Sequence, residues 1–316
     1  MKVISTSPSF AKYSKHPIEY LDENGFAAQA FPADVSLEVL KPHLADADAL
    51  IVAFTEVNAE LLDCAPKVKI VCKHGVGVDN IDLAATKTRG IWVTNVPNAN
   101  KHAVADFTFA LLLSLARKIP QANNRTKKGE WPQIFATDAW GKTIGICGLG
   151  NIGKQVALRA KGFNMRVVAF DFYQDTAFAA ENGIEFVSKE ALLENSDFIT
   201  LHMPLTDQTV NFIAVNELRK MKAGAYLINA SRGGVVNEAD LYTALSTNMI
   251  AGAASDVFAQ EPLKEHALFA LDSFIATSHI AGYTDGAVNA IGEHCVENIV
   301  TALVKKMRPQ NVMNGM

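Results

Sequence analysis

The chain has 316 residues, 49% of them hydrophobic and 20% charged, with a formal net charge of -4. That length accommodates two domains with substantial cores, and the composition excludes a disordered or low-complexity protein. The 29 basic and 33 acidic residues are mixed along the chain, which argues against a nucleic-acid partner, and no apolar run approaches the roughly 18 residues of a membrane span.

The four cysteines, Cys64, Cys72, Cys147 and Cys295, form no CxxC pair and read as free thiols in a reducing compartment. The N-terminus, MKVISTSPSF, opens a short strand and lacks the long apolar region of a secretion signal, so a cytoplasmic protein is expected.

In chain order, residues 1–98 alternate short apolar strands with helix-like segments. Strands are expected at Val3-Ile4, Phe26 to Ala30, Leu50 to Ala53, Val68 to Cys72 and Ile91 to Thr94. Helices are expected at Ile18 to Asn24, Leu37 to His43 and around Leu61-Leu62. This alternation implies a parallel sheet. Asp79 and Asp82 read as caps of a helix that begins near Ile81. Lys101 to Lys118 is the longest helical pattern of this half, apolar on nearly every side and therefore buried around most of its surface. Residues 121–142, with Trp131, Phe135 and Trp140, show little periodicity and read as an irregular arm suited either to a subunit interface, with a homodimer expected, or to loop packing within one chain.

Thr143 to Asp171 is the most informative stretch. The run Ile144 to Cys147 leads into Gly148-Leu149-Gly150-Asn151-Ile152-Gly153, then a helical stretch, then the run Val167 to Phe170, closed by Asp171. Strand, glycine turn, helix, strand and carboxylate follow within about 30 residues, as a dinucleotide fingerprint requires. Gly148 permits the tight turn, Gly150 lets backbone approach a pyrophosphate, and Gly153 lets the helix pack onto the strand. The first N–H groups of the helix then face the phosphates, with the positive end of the dipole behind them. Asp171 would accept hydrogen bonds from the ribose hydroxyls and repel a 2′-phosphate, and Phe172-Tyr173-Gln174-Asp175 offer no cation for one. The cofactor is therefore read as NAD rather than NADP.

Further strands follow at Phe198 to Leu201, Ala225 to Asn229, Gly252 to Ala254 and Phe274 to Ala276, and a final helix runs from about Asp285 to Lys306. Ligands of open parallel sheets bind beyond the carboxyl ends of the strands. The candidates are thus Lys73-His74-Gly75-Val76-Gly77-Val78-Asp79, His202-Met203-Pro204, Ala230-Ser231-Arg232-Gly233-Gly234, Asp256 with Glu261, and Ser278-His279. Carbonyl reduction by hydride needs a proton donor and a cation for an acidic substrate, and this set contains both. No His/Asp/Glu set has metal-ligand spacing. Of the eight histidines, His16, His43 and His266 read as surface residues, and His294 lies on the final helix.

The stretches GVGVDNIDL (75–83), GLGNIG with VVAFD, LHMPLT (201–206), NASRGGVVNE (229–238), SDVFAQEP (255–262) and TSHIAG (277–282) together resemble the D-isomer-specific 2-hydroxyacid dehydrogenases, in particular the phosphoglycerate dehydrogenase-like branch. The resemblance covers about residues 50–305 in order and spacing; the first 50 residues match only in pattern. It implies an α/β protein of two doubly wound parallel-sheet domains. A Rossmann NAD-binding domain, 99–284, would be inserted in a flavodoxin-like substrate domain formed by 1–98 and 285–316. It implies His279 as acid/base, Glu261 as its partner and Arg232 as the substrate-carboxylate clamp, for which a planar guanidinium fork is suited. Lys73, Gly75, Val76 and Gly77 would bind the substrate from the other domain, the glycine loop through backbone N–H groups. Gly148, Gly150, Asn151, Ile152, Gly153, Asp171, His202, Pro204, Ala230, Ser231 and Asp256 would bind the cofactor, with Asp256 at the nicotinamide amide.

The sequence departs from the branch that oxidises 3-phosphoglycerate where an arginine is expected after the strand ending near Val52: Ala53 and Phe54 stand there. Lys73, Lys101 and His102 are the remaining candidates for a phosphate. Phe54 favours a hydroxypyruvate-, glyoxylate- or larger 2-ketoacid-type substrate. A formate- or phosphite-oxidising relative is disfavoured by Val76, where a phosphite-type enzyme would carry lysine. The contrasting reading is a nucleotide-sensing corepressor of the same fold, which the Arg232/Glu261/His279 set disfavours.

Overall fold

The structure, a computed structural model, describes residues 1–316, which divide into two compact units: Met1–Asn100 with Gly282–Met316, and Lys101–Ala281. The first unit opens with β1 (Lys2–Ser5), α1 (His16–Glu23), β2 (Ala27–Ala30), α2 (Leu37–Leu44) and β3 (Ala49–Val52). It continues with α3 (Ala59–Asp63), β4 (Ile70–Lys73), α4 (Leu83–Thr88) and β5 (Trp92–Thr94). Its five strands are parallel in the order β2-β1-β3-β4-β5, so the order reverses between β1 and β3. The side chain of Asn58 caps α3 by accepting from Leu61 N, and Asp82 caps α4 by accepting from Ala85 N. Asp79 lies outside that helix and does not cap it, because α4 starts only at Leu83 and Asp82 occupies the capping position.

The second unit runs through α5 (Lys101–Ala116), α6 (Ile119–Lys127), β6 (Thr143–Cys147), α7 (Asn151–Gly162), β7 (Arg166–Phe170), α8 (Thr176–Asn182), β8 (Glu185–Phe186), α9 (Lys189–Asn195) and β9 (Phe198–Leu201). It ends with α10 (Val215–Lys220), β10 (Tyr226–Asn229), α11 (Glu238–Ser246), β11 (Gly252–Ser255), a 3-10 turn at Ala267–Ala270 and β12 (Phe274–Ala276). Its seven parallel strands lie in the order β12-β11-β10-β9-β6-β7-β8, reversing between β6 and β9. That is the dinucleotide-binding order, with the ligand crevice at the carboxyl ends of the two switch-point strands. The chain then returns to the first unit as α12 (Asp285–Leu303).

Burial explains the strand composition. Ile144, Ile146, Phe198, Ile199 and Ile228 are wholly inaccessible, as expected for parallel strands covered on both faces. α12 carries Ile291, Cys295, Val296, Ile299 and Val300 at helical spacing, and these pack with Val3, Leu21, Ile51, Ile70 and Cys72. Each such aliphatic side chain contributes about 1.5–3 kcal/mol on burial. Cys72, Cys147 and Cys295 are buried free thiols, while Cys64 is partly exposed. No helix is long and apolar enough to cross a membrane.

The start of the segment expected to be irregular is helical: Pro120 sits in the first turn of α6, and Lys118 enters it through a left-handed conformation at φ 51°. That break separates α6 from α5 and hides its periodicity, so the irregular arm is limited to about 128–142. Trp131 and Phe135 on this arm are 91% and 84% exposed.

At the end of β4, the His74 ring is buried with Nδ1 3.1 Å from Ser7 Oγ and 3.3 Å from Ser9 Oγ. Burial, reinforced by the neighbouring Lys73 charge, pushes its pKa from 6.5 down to about 4. Between those values the unfolded chain binds the extra proton, so the neutral ring contributes stability that is complete above pH 6.5 and lost as pH falls toward 4. The full loss is on the order of 3 kcal/mol. Urea unfolding at pH 7 and at pH 4.5 should show a smaller acid-induced drop for His74→Gln than for the wild type. Equal drops would contradict this account.

Candidate active site

The turn after β6 is built by close approach. Gly148 has φ +94°, and a Cβ there would lie 2.8 Å from the His202 carbonyl. A Cβ on Gly153 would lie 2.0 Å from Gly148 O, so only glycine lets α7 begin against the turn. At Gly150 the corresponding position meets nothing within 4 Å, and no side chain caps α7. The first-turn N–H groups, including those of Asn151 and Ile152, therefore stay available to an anion. Asp171, at the end of β7, accepts from Leu149 N at 2.6 Å through Oδ2 and from Tyr173 N at 3.1 Å through Oδ1. Each oxygen keeps a further acceptor site for a ribose hydroxyl. Lys154 is paired with Asp175 at 2.5 Å. The open Gly150 surface, the uncapped helix and the held carboxylate fit a dinucleotide.

After β9 comes His202, whose backbone N–H donates to Cys147 O at 2.8 Å, continuing the ladder between β9 and β6. Its Nε2 lies 2.9 Å from Thr200 Oγ1, and its Nδ1 is buried without a partner. Burial pushes its pKa down to about 3, which leaves a neutral ring unsuited to giving up a proton near neutrality. Pro204 is exposed, and its carbonyl accepts from Thr209 Oγ1 at 2.6 Å.

After β10, Asn229 shapes the loop that carries Ala230, Ser231 and Arg232. Its Oδ1 accepts from Ser231 N at 3.1 Å and Ser231 Oγ at 2.7 Å, and its Nδ2 donates to Arg232 O at 3.0 Å. Sequence reasoning gave Asn229 no role, although an asparagine at a strand end is a known source of such local bonding. Arg232 Nη1 donates to Ser231 O at 2.7 Å.

After β11, Asp256 is buried and holds the turn that bears His279. Its Oδ1 accepts from Thr277 Oγ1 (2.7 Å) and Ile280 N (2.9 Å), and its Oδ2 from Ala281 N (2.9 Å). Its carbonyl accepts from His279 N at 2.8 Å. His279 itself has φ +56°, a left-handed conformation unusual for a residue with a side chain. Sequence reasoning placed Asp256 at the cofactor; the positioning of this turn is an additional task that the sequence did not reveal.

His279 Nδ1 lies 2.7 Å from Glu261 Oε2, and Glu261 Oε1 accepts from Phe258 N at 2.9 Å. Both side chains are about one-third exposed, 34% and 29%. Burial alone would raise the Glu261 carboxyl. The His279 hydrogen bond and charge, the Phe258 N–H and the Arg232 charge outweigh it and hold the group below the usual glutamate value. An ionised Glu261 takes the Nδ1 proton as its hydrogen bond, which leaves Nε2 as the nitrogen that can exchange a proton. The structure thus brings Arg232, Glu261 and His279 together. It contains no group of three or more metal-ligating side chains.

In the first unit, the carbonyls of Gly75 and Val76 accept from Val96 N at 2.9 Å and Asn95 Nδ2 at 2.6 Å. The N–H groups of Val76 and Gly77 donate to no protein group. Lys73 Nζ donates to Asn80 Oδ1 at 2.7 Å and to the Ala53 carbonyl. Phe54 is partly exposed directly after β3.

Residues 109–281 match the family model of the D-isomer-specific 2-hydroxyacid dehydrogenase NAD-binding domain. The chain belongs to this family, and is an NAD-dependent oxidoreductase that interconverts a 2-hydroxyacid and its 2-ketoacid. It is 40% identical over 290 residues to a glyoxylate reductase of Korarchaeum cryptofilum, covering 89% of this chain and 87% of that one. It is 37% identical over 318 residues to a D-3-phosphoglycerate dehydrogenase of Archaeoglobus fulgidus, covering 99% of this chain but only 59% of that relative. Among solved structures, D-lactate dehydrogenase from Aquifex aeolicus, complexed with NAD and lactic acid, superposes with a TM-score of 0.83 at 30% identity, covering 97% of this chain and 96% of that one.

Replacing Gly153 with Val would drive a side chain into Gly148 O and reshape the turn. NADH fluorescence titration should show binding weakened by about 100-fold or more, the scale of roughly 3 kcal/mol expected for overpacking at a close backbone contact. Unchanged affinity would remove the turn from the cofactor site.

Proposed function

We propose that His279 gives its Nε2 proton to the ketone oxygen of a small 2-ketoacid, and takes it back in the reverse direction. NADH, when bound, supplies the hydride to C2. Glu261 fixes the Nδ1–H tautomer and stabilises the imidazolium, and Arg232 binds the substrate carboxylate and polarises the carbonyl. The observation that carries this reading is the 2.7 Å contact between His279 and Glu261, with the Arg232 charge acting on the same carboxylate.

The cofactor is held by the turn at Gly148, Gly150, Asn151, Ile152 and Gly153, by Asp171 at the ribose, and by His202, Pro204, Ala230, Ser231 and Asp256 along the strand ends. The first unit, with 1–98 and 285–316 as its expected extent, serves as the substrate domain, and 99–284 as the cofactor domain. Its Gly75, Val76 and Gly77 backbone, beside Lys73, is assigned to the substrate's anionic group. An unphosphorylated glyoxylate- or hydroxypyruvate-type acid is favoured over 3-phosphoglycerate, because Phe54 replaces an expected arginine and Lys73 already serves Asn80 and Ala53. The protein acts in the cytoplasm as a homodimer, joined through the exposed aromatic arm, without nucleic-acid or membrane partners. An intact acid/base pair separates this reading from a nucleotide-sensing corepressor.

His279→Ala should lower kcat by about 10²–10⁴-fold while NADH affinity stays within about 2-fold. Undiminished turnover in that variant would sink the acid/base assignment. NADH oxidation with glyoxylate, hydroxypyruvate, pyruvate and phosphohydroxypyruvate should rank the phosphorylated acid below the first two. Sedimentation should give a dimer that Trp131→Ser combined with Phe135→Ser converts to monomer; a wild-type monomer would contradict the arm's role.

A further inference from the structure

The segment Phe258–Ala259 is gripped from three directions. The Phe258 N–H donates to Glu261 Oε1 at 2.9 Å, and the Ala259 N–H donates to Glu238 Oε1 at 2.7 Å. Its Phe258 carbonyl sits so close to the Arg232 loop that a Cβ on Gly233 would lie 1.9 Å away. Glu238, the first residue of α11, has its other oxygen 3.2 Å from His266 Nε2. His266 Nδ1 accepts from Leu268 N at 3.3 Å, which places the ring proton on Nε2 and makes it the donor to Glu238. The imidazole packs at 6.2 Å from the Phe258 ring and 5.9 Å from Phe269, and both His266 and Glu238 are only 20% exposed. His266 is therefore no surface residue: a carboxylate 28 positions earlier in the chain and an aromatic cluster fix it in place.

We propose that Glu238 and His266 form a second carboxylate–histidine pair whose task is positioning: by clamping the Ala259 N–H they fix the turn that holds Glu261 against His279 and seats the Arg232 loop. The inference rests on the assignment of His279 and Glu261 as the acid/base pair. Glu261 lies two residues beyond Ala259, so releasing that N–H lets the turn drift. A misplacement of about 1 Å is enough to cost a catalytic hydrogen bond its geometry. Neither Glu238 nor His266 needs to touch substrate or cofactor for this.

Two substitutions break the same contact from opposite sides. Glu238→Gln preserves an acceptor for Ala259 N but turns an amide N–H₂ toward the His266 N–H. His266→Phe keeps the aromatic packing and removes the donor. Each should lower kcat about 10-fold, leave NADH affinity within about 2-fold, and move the alkaline limb of the ketoacid-reduction profile to lower pH by about half a unit, as a loosened carboxylate partner requires. In a Glu261→Gln background either substitution should cost less than about 2-fold more, because its effect passes through Glu261. An unmoved pH limb, or losses that multiply independently with Glu261→Gln, would overturn the proposal. If His279→Ala keeps its turnover, the acid/base reading fails instead, so the two failures are distinguishable. A fold defect in one variant, seen as a collapse in Tm, leaves the other to decide.

Discussion

Asp256 and the left-handed turn at His279 cannot be understood separately. A side-chain-bearing residue at φ +56° costs about 1–2 kcal/mol relative to an ordinary backbone conformation. Four hydrogen bonds to Asp256, three of them on its carboxylate, surround that residue and together outweigh the strain, since each contributes about 0.5–1.5 kcal/mol net. The strained conformation aims the imidazole at Glu261, and the Glu261 bond to Phe258 N ties that carboxylate to the loop bearing Gly233. One buried acid thus fixes the geometry from which the rest of the site is measured.

Three histidines follow strands in this chain, and burial sorts them. His74 and His202 are driven to about 4 and about 3 by loss of solvent, and both remain neutral throughout the physiological range. His279 alone combines partial exposure with a carboxylate partner. Proton exchange requires a ring that can be charged near neutrality and can reach a substrate. Placement after a strand is common to all three, so position alone singles out none of them; solvent and a carboxylate partner set His279 apart as the candidate.

The glycine turn and Asp171 were legible because their signal is local: turn, helix start and carboxylate follow in one unbroken stretch, and Gly148 and Gly153 each answer a specific close approach. Strand positions were legible for a similar reason, since strands buried on both faces read as apolar runs. Residues whose tasks depend on distant partners were not. Glu238 and His266 meet only after α11, β11 and the following loop have folded, and nothing in EADL or KEHAL announces it. Asp79 and Asp82 looked equivalent as caps, but the register of α4 chose Asp82. α6 was hidden because Lys118 breaks the helical path just before Pro120. The comparison with relatives supplies the family and the cofactor, while the hydrogen bonds of Asp256 and Asn229 come only from the folded chain.

The return of α12 to the first unit has a consequence for biosynthesis. Residues 101–281 form a unit contiguous in sequence and can acquire their core as soon as they leave the ribosome. The strands of residues 1–100 emerge earlier, yet one face of their sheet packs against Ile291, Cys295, Val296 and Ile299, which are translated only after the whole of residues 101–281. At about 5–20 residues per second, that face waits on the order of ten seconds or more for its cover. During that interval Val3, Ile51 and Ile70 are without their α12 partners, so this sheet, although made before the contiguous unit, is sealed after it and leaves apolar surface open meanwhile.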